Sequence, residues 1–344
     1  MTKKFDVVIG NPPYQEEAEG TATHGKPIYD RFMEAAYTVG DKAILITPAR
    51  FLFNAGYTPK AWNRKMLADP HLSVVHYTPN SNSLFPGTDI KGGIAVTYRD
   101  SSYTGSPIGT FTSTPELNNI VTKVESLSEE SLAKIMTSSR SFGYTDTMHS
   151  EHPEAAKKMA KGEQYKINTK TFEQLPFLFE EQSPIAPQGY TQILGLIKSA
   201  RHFRWTRREY ISGPTNYDTY KVALPAANGS GVLGEALSSP LILGPNVAVT
   251  QTFLTVGAFE SKAEAEACLK YIKTKFARTM LGVLKITQHN PAKVWQHVPL
   301  QDFTGNSDID WTKSVAEIDQ QLYAKYGLAE DEISFIESRA KSMN

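Results

Sequence analysis

The segment that most restricts the fold is at the start of the chain, where Phe5-Asp6-Val7-Val8-Ile9 runs straight into Gly10-Asn11-Pro12-Pro13-Tyr14. An apolar, β-branched run bounded by glycine and proline predicts a buried strand of a parallel sheet. Two consecutive prolines then forbid both strand continuation and helix, so the strand must end in a stiff, extended loop. Open α/β sheets bind their ligands just beyond the carboxyl ends of strands. The loop carries Asn11 and Tyr14 to that place.

Asn11-Pro12-Pro13-Tyr14 resembles the catalytic loop of the amino-group methyltransferases that use S-adenosyl-L-methionine. The resemblance implies a role for each residue. The exocyclic amine of adenine is a poor nucleophile because its lone pair is delocalised into the ring. Two acceptors that hold both amine hydrogens favour a more pyramidal nitrogen and free the lone pair for attack on a sulfonium methyl. The Asn11 side-chain oxygen and the Pro12 carbonyl are those acceptors, preorganised by Pro12 and Pro13. Tyr14 supplies a ring for stacking on a base flipped out of the duplex.

The following residues continue the pattern. A helix is predicted from Pro27 to Ala36, a second strand at Lys42–Ile46 ended by Thr47-Pro48, and a helix around Trp62, Met66 and Leu67. Further strands are predicted at Leu72–Tyr77 and Gly92–Arg99, with Ser83-Leu84-Phe85-Pro86-Gly87 opening the loop between them. This order is similar to the second half of an adenine-specific DNA methyltransferase of the restriction–modification type, in the class whose recognition domain follows catalysis. The resemblance implies an α/β fold: a partial Rossmann-like methyltransferase lobe over residues 1–105, then a mixed α/β target-recognition domain over residues 106–344. It also implies that Phe85 packs against the flipped adenine.

The cofactor half of such an enzyme carries a glycine-rich turn and an acidic residue for the ribose, and only four residues precede the first strand. Asn228-Gly229-Ser230-Gly231-Val232-Leu233-Gly234 does spell Gly-x-Gly-x-x-Gly, but Ser238-Ser239-Pro240 interrupts any helix after it and no acidic residue follows about 20 positions on. It reads as a loop. S-adenosyl-L-methionine is therefore the expected methyl donor, with a separate cofactor-binding methyltransferase half, or a restriction subunit, as the expected protein partner.

Ser101–Pro107 is small and polar, the expected linker. Residues 116–136 read as one helix and Glu154–Lys161 as another, before short apolar runs between Phe172 and Phe259. Lys198–Tyr210 holds five basic residues against one acid, interleaved with His202, Phe203, Trp205 and Tyr210. Arg201, Arg204, Arg207 and Arg208 are candidates for phosphate or guanine contacts with double-stranded DNA; a solvated basic face over a small core is the plainer alternative. A second basic stretch, Lys262–Lys293, has seven Lys/Arg against two Glu and adds Lys273 and Lys275 as candidates. Its helix carries the apolar stripe Leu269, Ile272, Phe276 and Met280, with Cys268 expected to be buried. The tail from Asp302 is acidic, nine Asp/Glu against four Lys/Arg, with short helices read at 311–319 and 330–336 and a resemblance to the end of restriction–modification methylases.

Composition narrows the alternatives. Thirty-six basic residues balance thirty-six acidic ones, which excludes a polybasic protein but not local patches. A single cysteine excludes a disulfide framework and a multi-thiolate zinc site, fits a reducing, cytoplasmic location, and removes the Pro-Cys nucleophile that cytosine ring methylation needs. No metal site is expected: no carboxylate cluster suggests magnesium and nuclease chemistry. No apolar run approaches the roughly 20 residues of a membrane span. The expectation is thus an adenine methyltransferase component; the alternative is a non-catalytic DNA-binding module left from a truncated methyltransferase.

Overall fold

The computed structural model describes residues 4–16, 25–54, 56–90, 92–112, 114–127, 129–229, 231–285 and 287–343. Met1 to Lys3, Ala55, Lys91 and Ser230, which fall in segments discussed above, lie outside the described residues. The chain is mixed α/β and divides into two units, Met1–Thr122 and Lys123–Asn344.

The first unit is a four-stranded sheet. β1 (Phe5–Gly10) is followed by α1 (Tyr29–Val39), β2 (Gly40–Pro48), α2 (Lys60–Leu67), β3 (Leu72–Thr78) and β4 (Ile94–Asp100). The order is β1-β2-β4-β3, with β1 and β2 parallel and β4 antiparallel to both of its neighbours. Tyr29, Met33 and Ala36, at helical spacing on α1, are buried and share one core with Ala43 and Leu45 of β2, Phe51, Leu52 and Met66. Val8 of β1 packs against the same core. The register places Val8 beside Ala43 and Ile9 beside Ile44, so Phe5, Val7 and Ile9 point to the other face.

Here β1 departs from expectation. It is a parallel strand, but an edge one, and Phe5, Val7 and Ile9 are 56%, 46% and 74% exposed. Their apolar character marks a strand made for burial on both faces; the described residues provide a neighbour on one side only.

The boundary also moves. The predicted linker is followed by residues that pack into the first unit: Phe111 meets Phe53 and Tyr77 edge-on, with centroids 5.4 Å from each, and Ile108 joins the same core. The unit therefore extends past residue 105 to Thr122, inside α3 (Pro115–Ser126). The helix predicted over 116–136 ends there. Ser131 caps a short 3-10 turn at Leu132–Ile135, and Met136–Thr137 forms strand β5, which pairs with Val256 and Thr255. A β-bonded pair of threonines outcompetes the helical reading.

The second unit continues with β6 (Gly143–Tyr144), α4 (Asp146–Glu151), α5 (Ala155–Lys158), α6 (Thr171–Gln174), β7 (Tyr190–Ile197), β8 (Ala200–Arg207), β9 (Ile211–Ser212), β10 (Tyr220–Pro225), β11 (Leu241–Leu243), β12 (Val247–Val249) and β13 (Phe253–Phe259). Helices α7 (Lys262–Lys273), α8 (Lys275–Gly282), α9 (Val315–Lys325) and α10 (Glu330–Arg339) complete it. Its sheets run β11-β10-β13-β5, β12-β7-β8 and β6-β9. The single basic helix predicted from Lys262 is two, because Thr274 leaves helical geometry and its side chain accepts the Ala277 N–H to cap α8. Cys268 is fully buried and burial pushes its thiol up, as an inert core residue requires. The two tail helices exist, the first beginning only at Val315 behind a Ser314–Glu317 capping box.

Asp319 of α9 shows what this packing costs. It is 2% exposed and its carboxylate accepts the N–H groups of Lys275 and Phe276 at the start of α8. Burial raises its pKa to about 6 against those two hydrogen bonds, with Glu337 adding to the rise. The folded chain therefore holds this proton more tightly than the unfolded chain. The associated stability is fully present below the ordinary aspartate value and is lost as pH rises through about 6. We expect a loss of about 2 kcal/mol from this group between pH 4 and 7. Chemical denaturation at those two pH values checks it: Asp319→Asn should flatten the dependence, and an unchanged slope contradicts the assignment.

Candidate active site

The three segments beyond the carboxyl ends of β1, β2 and β3 converge on a cavity of about 500 Å³. Tyr14 enters it from the loop after β1, Pro48 and Arg50 from the end of β2, and Asp89 and Ile90 from the loop before β4. Tyr29 of α1 and Tyr57, just ahead of α2, complete the aromatic lining.

The loop after β1 is stiff for local reasons. Pro12 and Pro13 fix their own φ angles. The far end is tied back to the start of α1: the Ile28 N–H donates to the Tyr14 carbonyl at 3.2 Å and the Glu16 N–H to the Lys26 carbonyl at 2.8 Å. Asn11 is exposed and Tyr14 half-buried. Burial pushes the Tyr14 phenol up, an effect the nearby Asn11 side chain partly offsets. The hydroxyl itself is buried and meets no partner in hydrogen-bonding geometry among the described residues, so the Asn11 side chain acts on it at longer range. Burial likewise pushes the Tyr29 phenol up to about 12, opposed by the Thr58 hydroxyl and by Arg50. Both tyrosines are therefore neutral rings across the physiological range. With Pro27, Pro48 and Ile90 they make the largely apolar part of the lining, and Gln15, Arg50 and Asp89 supply its polar groups.

Arg50 was not picked out from the sequence, yet two glycines are shaped around it. A Cβ on Gly92 would come 2.8 Å from Arg50 Cγ, and one on Gly56 would come 3.1 Å from Arg50 Cβ. Both glycines also have positive φ, +87° and +79°. Gly56 and Gly92 were the sequence signals, readable only once the fold had brought them to one side chain.

Phe85 was expected to pack against the flipped adenine. It is half-buried in the β3–β4 loop, where its N–H donates to the Ser81 carbonyl and its carbonyl accepts from Thr88. Ser81 organises the loop by donating to the Thr88 carbonyl and accepting the Ile90 N–H. The loop thereby presents Asp89 and Ile90 to the cavity, and Phe85 is not among the residues lining it.

In the second unit the candidate DNA-binding arginines lie on and just beyond one strand. β7 and β8 form a hairpin whose turn residues Lys198 and Ser199 both have positive φ, the two-residue turn that matches strand twist. Arg201 donates to the carbonyls of Ser238 and Ser239, Arg204 pairs with Glu181, Arg207 with Glu151 and Glu209, and Arg208 with Asp218 while stacking 3.7 Å over Tyr217. Each is engaged within the unit. Lys273 and Lys275 line a second cleft of about 620 Å³ together with Lys270 and Lys313; Lys275 also pairs with Glu337.

The glycine-rich turn at 228–234 does not fit a nucleotide cofactor. Lys285 donates to the Asn228 carbonyl and pairs with Glu235, Arg278 donates to the Gly234 carbonyl, and the Asn228 side chain accepts the Ser238 N–H and donates to the Ala236 carbonyl. The next described element after it is the strand β11, not a helix. The turn's polar groups serve the fold. Among the described residues no His/Cys/Asp/Glu group could hold a metal ion, and no helix is long and apolar enough to cross a membrane.

Comparison with known proteins adds sequence likeness at the same place. Residues 1–85 match the family model of the Eco57I restriction-modification methylase. Over 108 residues the chain is 31% identical to an uncharacterized adenine-specific methylase of Mycoplasma pneumoniae, a match covering 30% of this chain and 26% of that protein. The chain thus spans about a quarter of that relative's length. Among solved structures, the type IIL restriction-modification enzyme MmeI in complex with DNA aligns with a TM-score of 0.34 at 10% identity, over 97% of this chain and 56% of that one. The type IIG restriction endonuclease BpuSI gives 0.33 at 10% identity, over 97% and 53%. The family match contains Asn11, Pro12, Pro13, Tyr14 and Phe85.

Proposed function

We propose that the chain is the substrate-handling part of a restriction–modification methyltransferase, which transfers a methyl group from S-adenosyl-L-methionine to the exocyclic amine of an adenine flipped out of double-stranded DNA. One observation carries the reading: Asn11-Pro12-Pro13-Tyr14 leaves the carboxyl end of β1 as a braced loop, and its tyrosine lines a cavity together with Tyr29 and Tyr57. The match of residues 1–85 to a restriction–modification methylase family and the likeness to an adenine-specific methylase support the same chemistry.

In this reading the Asn11 amide oxygen and the Pro12 carbonyl accept the two amine hydrogens, and Tyr14 holds the ring by stacking. Phe85 supports the slot from within its loop. The arrangement β1-β2-β4-β3 is one part of a Rossmann-like lobe. The methyl donor brings an electron-poor sulfonium carbon; the residues that hold it come from a cofactor-binding half that continues the sheet at β1, where Phe5, Val7 and Ile9 are exposed. The second unit is the target-recognition domain. Arg201, Arg204, Arg207, Arg208, Lys273 and Lys275 are its proposed DNA contacts, the paired arginines exchanging carboxylates for phosphates on binding.

The test is tritiated methyl transfer to DNA by this chain alone and with the product of the gene upstream, alongside DNA binding at two salt concentrations. Transfer only in the mixture is the expected outcome. Transfer by the chain alone would overturn the need for a second half, and salt-sensitive binding without transfer in either would favour a non-catalytic module.

A further inference from the structure

Tyr57 is among the most exposed large side chains of the first unit, at 80%, yet it lines the same cavity as Tyr14. A phenol so placed is not packing material. Its surroundings are rigid. Thr58, next in sequence, is 3% exposed and its hydroxyl donates to Asn63 Oδ1 at 2.7 Å; Asn63 is fully buried and its amide donates to the Asn54 side chain. Lys60 donates to the Asn54 carbonyl at 2.6 Å. Asn54 takes left-handed geometry, with φ 48°, and Gly56 closes against Arg50. The base of this segment is fixed from both sides while the ring at its tip is free to make contact. Phe85, the aromatic that sequence reasoning assigned to the second side of the base, does not line the cavity.

We infer that Tyr57 is the second aromatic wall, and that a planar heteroaromatic base inserts between the rings of Tyr14 and Tyr57. The inference rests on the base-binding reading of the cavity given above and adds a residue to it. Arg50, threaded between Gly56 and Gly92, couples the Tyr57 segment to the Asp89–Ile90 loop, so the same insertion brings the base edge to the slot's polar groups. Tyr57 acts by stacking; no proton or bond passes through it.

The probe is a short single-stranded oligonucleotide containing 2-aminopurine, titrated onto the full chain and followed by fluorescence. Wild type should quench the probe on binding. Tyr57→Ala should weaken binding by about 10-fold or more and lose part of the quenching, Tyr57→Phe should retain both, and Tyr14→Ala should lose the quenching. An exposed side chain predicts unchanged thermal melting for both Tyr57 variants, so a loss of binding is not a loss of fold. Wild-type behaviour in Tyr57→Ala, with Tyr14→Ala impaired, overturns the role of Tyr57 and leaves the cavity reading intact. No quenching by wild type, or quenching untouched in Tyr14→Ala, overturns the cavity reading and the inference with it.

Discussion

Asn11→Ala is expected to lower methyl transfer by on the order of 100- to 1,000-fold while leaving DNA affinity within about twofold. The expectation follows from where the side chain is. Asn11 is exposed at the end of β1, so its removal opens no cavity in the core. In the proposed reaction it removes one of two acceptors for an amine whose nitrogen must become more pyramidal before it can attack. That geometry is worth most in the transition state, so the loss falls on kcat more than on KM. Steady-state kinetics in the reconstituted mixture, with filter binding at fixed salt, separates the two. Asn11→Asp keeps an acceptor oxygen and should retain part of the rate; full activity of Asn11→Ala refutes the assignment.

The largest stability effect is expected at Arg278. It is 1% exposed and donates to five carbonyls: Lys273 and Thr274 at the α7–α8 junction, Gly234 and Glu235 in the glycine-rich turn, and Lys341 in the tail. Burial depresses its pKa, with Asp319 holding it up; the guanidinium keeps its charge because its ordinary value is so high. Arg278→Met removes the guanidinium donors from all five carbonyls, of which Gly234 keeps the Lys341 N–H and Thr274 the backbone N–H of position 278, at a cost of about 3–5 kcal/mol, which for a unit of this size lowers Tm by roughly 10 °C. Arg278→Lys should recover only part, since an ammonium cannot span carbonyls on three segments. Calorimetry reads both, and a Tm within 2 °C or so of wild type would contradict the account.

The two arginine roles show what a sequence discloses. Asn11-Pro12-Pro13-Tyr14 was legible because stiffness and strand termination are local properties, and the four-strand order of the first unit followed from apolar runs and their breakers. Arg278 and Lys285 read as members of a basic stretch; their burial under the glycine-rich turn depends on contacts over 40 residues away in the chain. The hairpin arginines present the same difficulty in reverse: Glu151, Glu181, Glu209 and Asp218, which pair with them, are scattered over four local contexts. The long helix read over 116–136 failed because Thr137 finds Thr255 across a sheet, a partner no periodicity contains. Tyr57 was passed over for a related reason. An exposed aromatic in a polar turn carries no signal until the fold brings it to the cavity that Tyr14 lines.

The central claim is that the amine of adenine is the methyl acceptor. Digesting DNA labelled in the reconstituted reaction to nucleosides, and separating them, tests it directly. Tritium should appear in N6-methyladenine and be lost in Asn11→Ala; label in a methylated cytosine, or in no nucleoside under any combination of chains, would contradict adenine as the acceptor.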